Sequence, residues 1–202
     1  GEMYGFMGLK KNQNFFMNIN AVTHRNKPWI VNSFAGVTKI SPSILQTVIN
    51  SLDYKELIPN LLDIYRPAES TGVLLASIDK QHAGEGISAG RILAEKDFFG
   101  KVIIVVDKDV DVHDKAEIFQ ALGTRWQPYP AAEIIEETKG MPLDASAPKR
   151  FFTSKIIIDA TRQFSDEGGP AIWPEISKVM LQELSPDTFD LIEQNWESYF
   201  SD

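Results

Sequence analysis

The apolar positions change period several times along the chain. Over residues 15–23 they alternate, with Met17, Ile19 and Ala21 on one face and Phe16, Asn18, Asn20 and Val22 on the other, which predicts a strand. A polar turn, His24-Arg25-Asn26-Lys27-Pro28, leads into a second predicted strand over residues 29–34. Together they would make an antiparallel hairpin, which is marginal alone and is expected to belong to a larger sheet or barrel. From Ser41 the period becomes helical. Ser41 suits an N-cap and Pro42 the first helical position, and Leu45, Val48, Ile49 and Leu52 follow at helical spacing.

Strands are predicted over residues 61–65 and 72–78, a helix over 86–96, and a strand over 101–106. Asp114-Lys115-Ala116-Glu117 has the form of a capping box and opens a helix carrying Ile118, Phe119 and Leu122. A short strand over 132–135 and a stronger one over 155–158 complete the series. Alternating helices and strands with continuous apolar strand cores predict an α/β fold, its sheet mixed, at least partly parallel and covered by helices on both faces. Gly168-Gly169-Pro170 marks a boundary. Two helices follow, opened by Pro174 and Pro186, and the second sets Phe189, Ile192, Trp196 and Tyr199 along one stripe. That stripe must dock on its own domain or on a second subunit.

Composition narrows the function classes. The chain has 202 residues and a net charge of −8, and its 20 Lys and Arg are scattered, so no basic stripe is available for nucleic acid. Cysteine is absent, which excludes disulfides, thiolate metal sites and a cysteine nucleophile. The longest clean apolar run, residues 102–106, is far too short to cross a bilayer, and the first residues lack the form of a signal peptide. A soluble, cytoplasmic protein is expected, without nucleic-acid or membrane partners.

Several features invite chemistry. Gly84-Glu85-Gly86 with Gly90 follows a strand and opens a helix, but the third glycine is one position late for a dinucleotide fingerprint, and close helix packing explains it better. Asp107-Lys108-Asp109-Val110-Asp111 resembles the start of a calcium loop, yet Val112 stands where Gly is required and Ile118 where Glu is required. These aspartates are expected to serve loop structure. His24, His82 and His113 share no ligand spacing, and no metal site is predicted. Glu2, set among Gly1, Met3, Tyr4, Gly5 and Phe6, reads either as an exposed terminal residue or as an acid in an apolar pocket, where desolvation would raise its pKa toward proton donation.

Several segments together resemble the UbiD family of decarboxylases. They are the aspartate segment 105–114, Ala121-Leu122-Gly123-Thr124-Arg125, Pro142-Leu143-Asp144, Lys155-Ile156-Ile157-Ile158-Asp159-Ala160-Thr161, Asn20-Ala21-Val22-Thr23-His24-Arg25 and Arg66-Pro67-Ala68-Glu69-Ser70. The opening Gly-Glu-Met-Tyr-Gly-Phe looks like the active-site stretch of the ferulate and cinnamate branch. The resemblance implies a prenylated-FMN-dependent, reversible, non-oxidative decarboxylation of an aromatic or α,β-unsaturated acid. The flavin would be the electron sink and a Glu would return the proton. Residue by residue, Glu2 matches the proton donor and Met3 a position beside the flavin. Met141, Pro142 and Leu143 match the substrate pocket, as does Leu45, or Ile44 with a one-residue slip. Lys96 is the nearest match for a phosphate-binding lysine, although an ungapped alignment puts Glu95 there. Ordinary core packing is the alternative for Met141, Leu143 and Leu45.

The resemblance further implies that residues 1–40 are the last strands of a central split β-barrel, 41–167 a C-terminal α/β domain, and 168–202 terminal helices that contact other subunits in a homo-oligomer, a dimer or a hexamer. An Arg, a second Glu and the ligands for a divalent metal, with potassium as a further ion, would lie outside this chain. A flavin prenyltransferase would supply the cofactor. This portion alone is expected to be inactive. The rival readings are a non-catalytic assembly module dimerising through residues 186–200 and a nucleotide-binding domain using Gly84 to Gly90.

Overall fold

The computed structural model describes residues 2–3, 6–7, 17–29, 43–141, 144–174 and 177–200, without the side chains at 2–3, 6–7, 43–48, 177–178 and 181. The chain divides into two compact units, Gly1–Gly169 and Pro170–Asp202. In the first, a two-residue pair of strands, β1 (Glu2–Met3) and β2 (Phe6–Met7), runs antiparallel, with Glu2 opposite Met7. Then come α1 (Ser43–Leu57), β3 (Leu61–Tyr65), β4 (Val73–Ile78), α2 (Glu85–Lys96), β5 (Val102–Asp107), α3 (Lys115–Thr124), β6 (Ala132–Lys139) and β7 (Phe152–Asp159). The second unit holds α4 (Ser177–Leu184) and α5 (Pro186–Asn195), and α5 runs on into a short 3-10 turn, Trp196–Phe200.

Five strands form one sheet in the order β3-β4-β5-β7-β6. The three inner strands, β4, β5 and β7, are parallel, and β3 and β6 pair antiparallel at the two edges. The inner strands are the β-branched runs VLLASI, VIIVVD and FTSKIIID, suited to burial on both faces. One face carries Leu74, Ala76, Ile78, Ile103, Val105 and Ile157, covered by Ala89, Leu93 and Ala94 of α2 and by Tyr54 and Ile58. The other carries Leu75, Ile104, Val106 and Ile158, covered by Ile118 and Ala121 of α3 with Val110 and Val112. The expected mixed α/β sheet with helices on both faces is what forms.

Several local expectations need correction. The alternation over residues 15–23 does not become a strand: residues 17–29 hold neither strand nor helix, and Met17, Ile19, Val22 and Trp29 are exposed. Alternation favours a strand only where one face is covered and a neighbour accepts its hydrogen bonds, and among the described residues no strand pairs with this segment. Residues 15–16 and 30–34 of that hairpin lie outside the described residues. In α1 the helix is as expected, but Ile49 and Leu52 face solvent, and the burial falls to Tyr54 and Ile58. In α3 the buried partner of Ile118 is Ala121, and Phe119 points outward.

The capping box at α3 forms in part. The Asp114 carboxylate accepts from Ala116 N at 2.7 Å, but Glu117 reaches back to Asp111 N, because Asp114 N already donates to Asp111 O. Strand β6 is twice its expected length. A bulge between Ile135 and Thr138, with Glu137 at φ 48°, carries the pairing past a run of acidic residues that reads as polar loop.

The glycines of α2 lie against β7. A Cβ at Gly90 would overlap the Cγ2 methyl of buried Ile157, and one at Gly86 would overlap the Asp159 carboxylate. Gly123, in α3, faces open space. Gly90→Ala should therefore lower stability by about 1–3 kcal/mol through overpacking, although alanine favours a helix interior by about 1 kcal/mol. Gly123→Ala should raise stability by up to about 1 kcal/mol. Urea midpoints of the two variants check both signs.

Candidate functional site

The two ends of the parallel strands carry the polar chemistry of the first unit. At the carboxyl ends, Arg125 reaches from the C-terminus of α3 to Asp107 at 3.1 Å and to both oxygens of Asp109 at 2.7 and 2.9 Å. Arg162, just past β7, donates its backbone N–H to Asp107 at 2.7 Å and its guanidinium to Asp109 at 3.1 Å. Burial pushes the Asp107 carboxyl up, whereas the hydrogen bonds from Arg125 hold Asp109 below the usual carboxylate range. Burial works against the Arg125 charge, but Asp109 and Asp107 more than offset it.

Beside this cluster, the buried Lys80 ammonium lies 2.7 Å from Glu167, 2.9 Å from Thr161 Oγ1 and 3.8 Å from Asp159. Thr161 N donates to Asp159 Oδ1 at 3.1 Å, and Phe164 N donates to Glu167 at 2.8 Å. Glu167 titrates low: burial opposes its charge, but donors from Gly84 N, Lys80 and Phe164 N outweigh it. Three of the motif segments singled out in the sequence therefore converge here. Their charges bind one another, so the arrangement ties the segments after β4, β5 and β7 together. The aspartates after β5 serve loop structure. Among the described residues, no grouping of His, Cys, Asp and Glu could hold a metal ion.

At the amino ends, the buried Asp97 carboxylate accepts from Arg66, from Phe99 N at 2.9 Å and from Tyr54 at 3.3 Å. Burial and Asp97 together push the Tyr54 phenol far up. Lys155, buried within β7, donates to the carbonyls of Ala94 and Asp97 and so caps the end of α2. Its burial pulls its pKa down. Next to it, Lys101 bonds Asp144 in the segment joining β6 to β7.

The expected site residues are distributed as follows. Glu2 and Met3 are the two residues of β1, and Leu45 lies in the first turn of α1; their side chains are outside the described set. Pro142 and Leu143 lie outside it altogether. Lys96 ends α2 and is 47% exposed, with Glu95 on its ammonium at 3.0 Å. Met141 is half-buried just after β6. Register puts both Lys96 and Met141 toward the amino ends of the parallel strands, away from the Arg125 cluster. Sequence reasoning missed Lys80, Glu167 and Arg162. No signal reveals them, because each is a lone charged residue whose partners are distant in the chain.

A phosphate reaching Lys96 would have to displace Glu95 at the negative end of a helix, so this residue offers a flavin one cationic contact and no cradle. The donor set described here does not by itself hold such a cofactor.

Sheet order and helix placement define an α/β domain built on a mixed, partly parallel five-stranded sheet. The chain belongs to the UbiD family: residues 43–160 match the 3-octaprenyl-4-hydroxybenzoate carboxy-lyase C-terminal domain. An uncharacterized protein of Aeropyrum pernix is 26% identical over 208 residues, spanning 98% of this chain and 41% of that protein. The chain thus covers about two-fifths of that relative's length. The vanillic acid decarboxylase of Sedimentibacter hydroxybenzoicus, in an open form, superposes with a TM-score of 0.58 at 26% identity, over 71% of this chain and 32% of that one. The UbiD-class enzyme HmfF from Pelotomaculum thermopropionicum, in complex with FMN, shares the fold with a TM-score of 0.58 at 23% identity, over 66% of this chain and 30% of that one.

The Arg125 cluster yields a stability test. Arg125→Ala leaves Asp107 and Asp109 with Arg162 as their shared donor. It should cost about 2–3 kcal/mol at pH 7, less than the ~3–5 of a fully buried pair because Asp109 is 39% exposed. Asp109 has a depressed folded pKa, so its stabilisation is present above the ordinary carboxylate value near 4 and is lost as pH falls through the folded value. The gap between wild type and Arg125→Ala should therefore narrow below about pH 4. Denaturant unfolding at pH 7 and pH 3 measures it.

Proposed function

We propose that this chain is the C-terminal part of a reversible, non-oxidative decarboxylase of aromatic or α,β-unsaturated acids that uses prenylated FMN and acts in the cytoplasm. The carrying observation is the family match over residues 43–160, on a sheet shared with the vanillic acid decarboxylase. Support for the flavin comes from HmfF, whose structures hold FMN and prFMN. When bound, the flavin supplies the electron sink for loss of carbon dioxide.

This chain's part is the proton and one wall of the pocket. Glu2, held by the backbone pairing of β1, donates the proton to the carbon that lost the carboxylate. Met3 packs beside the flavin, and Lys96 contacts its phosphate once Glu95 yields. Leu45, Met141, Pro142 and Leu143 form an apolar wall that excludes water and favours an unsaturated or aromatic body. The metal ligands, the second Glu and the Arg come from residues outside this chain, and a flavin prenyltransferase provides the cofactor. The enzyme works as a homo-oligomer, a dimer or hexamer. The aromatic stripe beyond α5, where Trp196 and Tyr199 are each 57% exposed, supports a subunit contact.

In the complete flavin-loaded enzyme, Glu2→Gln should lower kcat by about a hundredfold or more while flavin absorbance is retained. A kcat within about fivefold of wild type, with flavin bound, would remove Glu2 from the proton-donor role. Ending the chain at Gly169 should dissociate the oligomer in sedimentation, and an intact oligomer would exclude the terminal helices as its basis.

A further inference from the structure

The segment joining β6 to β7 leaves the sheet under unusual constraint at both sides. Glu137, in the bulge of β6, has φ 48°, and Phe151, just before β7, has φ 70°. Side chains seldom occupy this left-handed region, and such residues persist only where surrounding structure over-determines them. Gly140 has no room for a Cβ, which would overlap the Thr153 side chain. The bulge of β6 and the left-handed residue before β7 together constrain how the two strands meet the segment between them.

One buried carboxylate holds the segment there. Asp144, its side chain 4% exposed, accepts from Lys101 Nζ on both oxygens, at 3.1 and 2.9 Å. It also accepts from Ser146 N at 3.0 Å, from Ser146 Oγ at 2.9 Å and from Thr153 Oγ1 at 3.3 Å. Its own backbone N–H donates to the Met141 carbonyl at 3.2 Å, closing a turn on the residue just past β6. Burial would raise the Asp144 pKa, but the bonds from Lys101 and Ser146 hold it low, so the carboxylate stays charged and the bonds stay charge-assisted. Lys101 stands directly before β5, in the rigid part of the sheet.

We propose that Asp144 and Lys101 are a positioning pair that fixes Met141 against the substrate and so sets which acids the enzyme accepts. This rests on the decarboxylase reading, in which Met141 lines the pocket. The pair touches no reacting atom; it acts through the turn it closes. Loosening it should therefore weaken the fit of the ring or alkenyl body more than it slows the chemistry.

Two measurements on Asp144→Asn and Lys101→Met decide this, with Lys101→Arg as the conservative variant. In this chain, amide exchange at Asp144, Ser146 and Ala147 should speed by about tenfold or more, with Ile104 and Ile157 in the core unchanged. Lys101→Arg should restore protection. In the complete flavin-loaded enzyme, KM for an aromatic acid should rise by about tenfold with kcat falling far less, and selectivity between acids of different ring size should shrink. Unchanged exchange at the turn, or exchange rising throughout the core, overturns the pair as a local clasp. Faster exchange with KM and selectivity unmoved overturns its effect on substrate. No turnover by the wild-type enzyme on any such acid overturns the functional reading instead, and the exchange result then decides the clasp alone.

Discussion

The buried Asp97 carboxylate is the point on which the amino-end half of the sheet depends. It terminates α2, and its acceptors bind Arg66 after β3, Tyr54 in α1 and the backbone N–H groups of the turn into β5. Its carbonyl takes Lys155 from β7. Five segments therefore meet at one residue. A charge taken out of water costs several kcal/mol unless every lone pair is used, so the segments cannot slide without exposing an uncompensated ion. The apolar core supplies most of the driving force, but it is nearly uniform in Ile, Val and Leu and would tolerate alternative registers. The Asp97 knot excludes them.

The carboxyl ends are organised on the same principle with different parts. Asp107 and Asp109 share Arg125 and Arg162, and Lys80 bridges Glu167, Thr161 and Asp159. Gly86 lets Asp159 lie against the start of α2. These are the residues whose spacing first suggested calcium or nucleotide chemistry. In three dimensions three cations are shared among four carboxylates, which anchors the loops and which ligand binding at those positions would have to break. The chemistry proposed for this chain lies elsewhere: Glu2 in β1, and the Met141 turn toward the amino ends of the parallel strands.

Much of the sheet was legible because its signals are local. The runs at 73–78 and 102–107 are β-branched and unbroken, which only a doubly covered parallel strand accommodates. The glycine and proline punctuation at 168–170 sits beside the division between the two compact units. What was illegible depended on partners. Residues 17–23 alternate as a strand should, yet among the described residues they lie exposed and form no strand. Glu136 and Glu137 look like loop, yet a bulge carries β6 through them because β7 offers the pairing. In α1 helical spacing shows which residues share a side but not which side is buried: Ile49 and Leu52 are exposed, and Tyr54 is buried.

By itself, then, the sequence determined the kinds and order of the elements over residues 43–160, the class of sheet and, through its motif segments, the family. Those follow from propensities and periods that act over a few residues. Only the tertiary structure decided which charges meet. Lys80 with Glu167, Arg66 with Asp97 and Lys101 with Asp144 are separated by tens of residues along the chain. No short-range pattern encodes such pairs. Each is selected because the folded sheet brings two ions to one dry place where neither can remain alone.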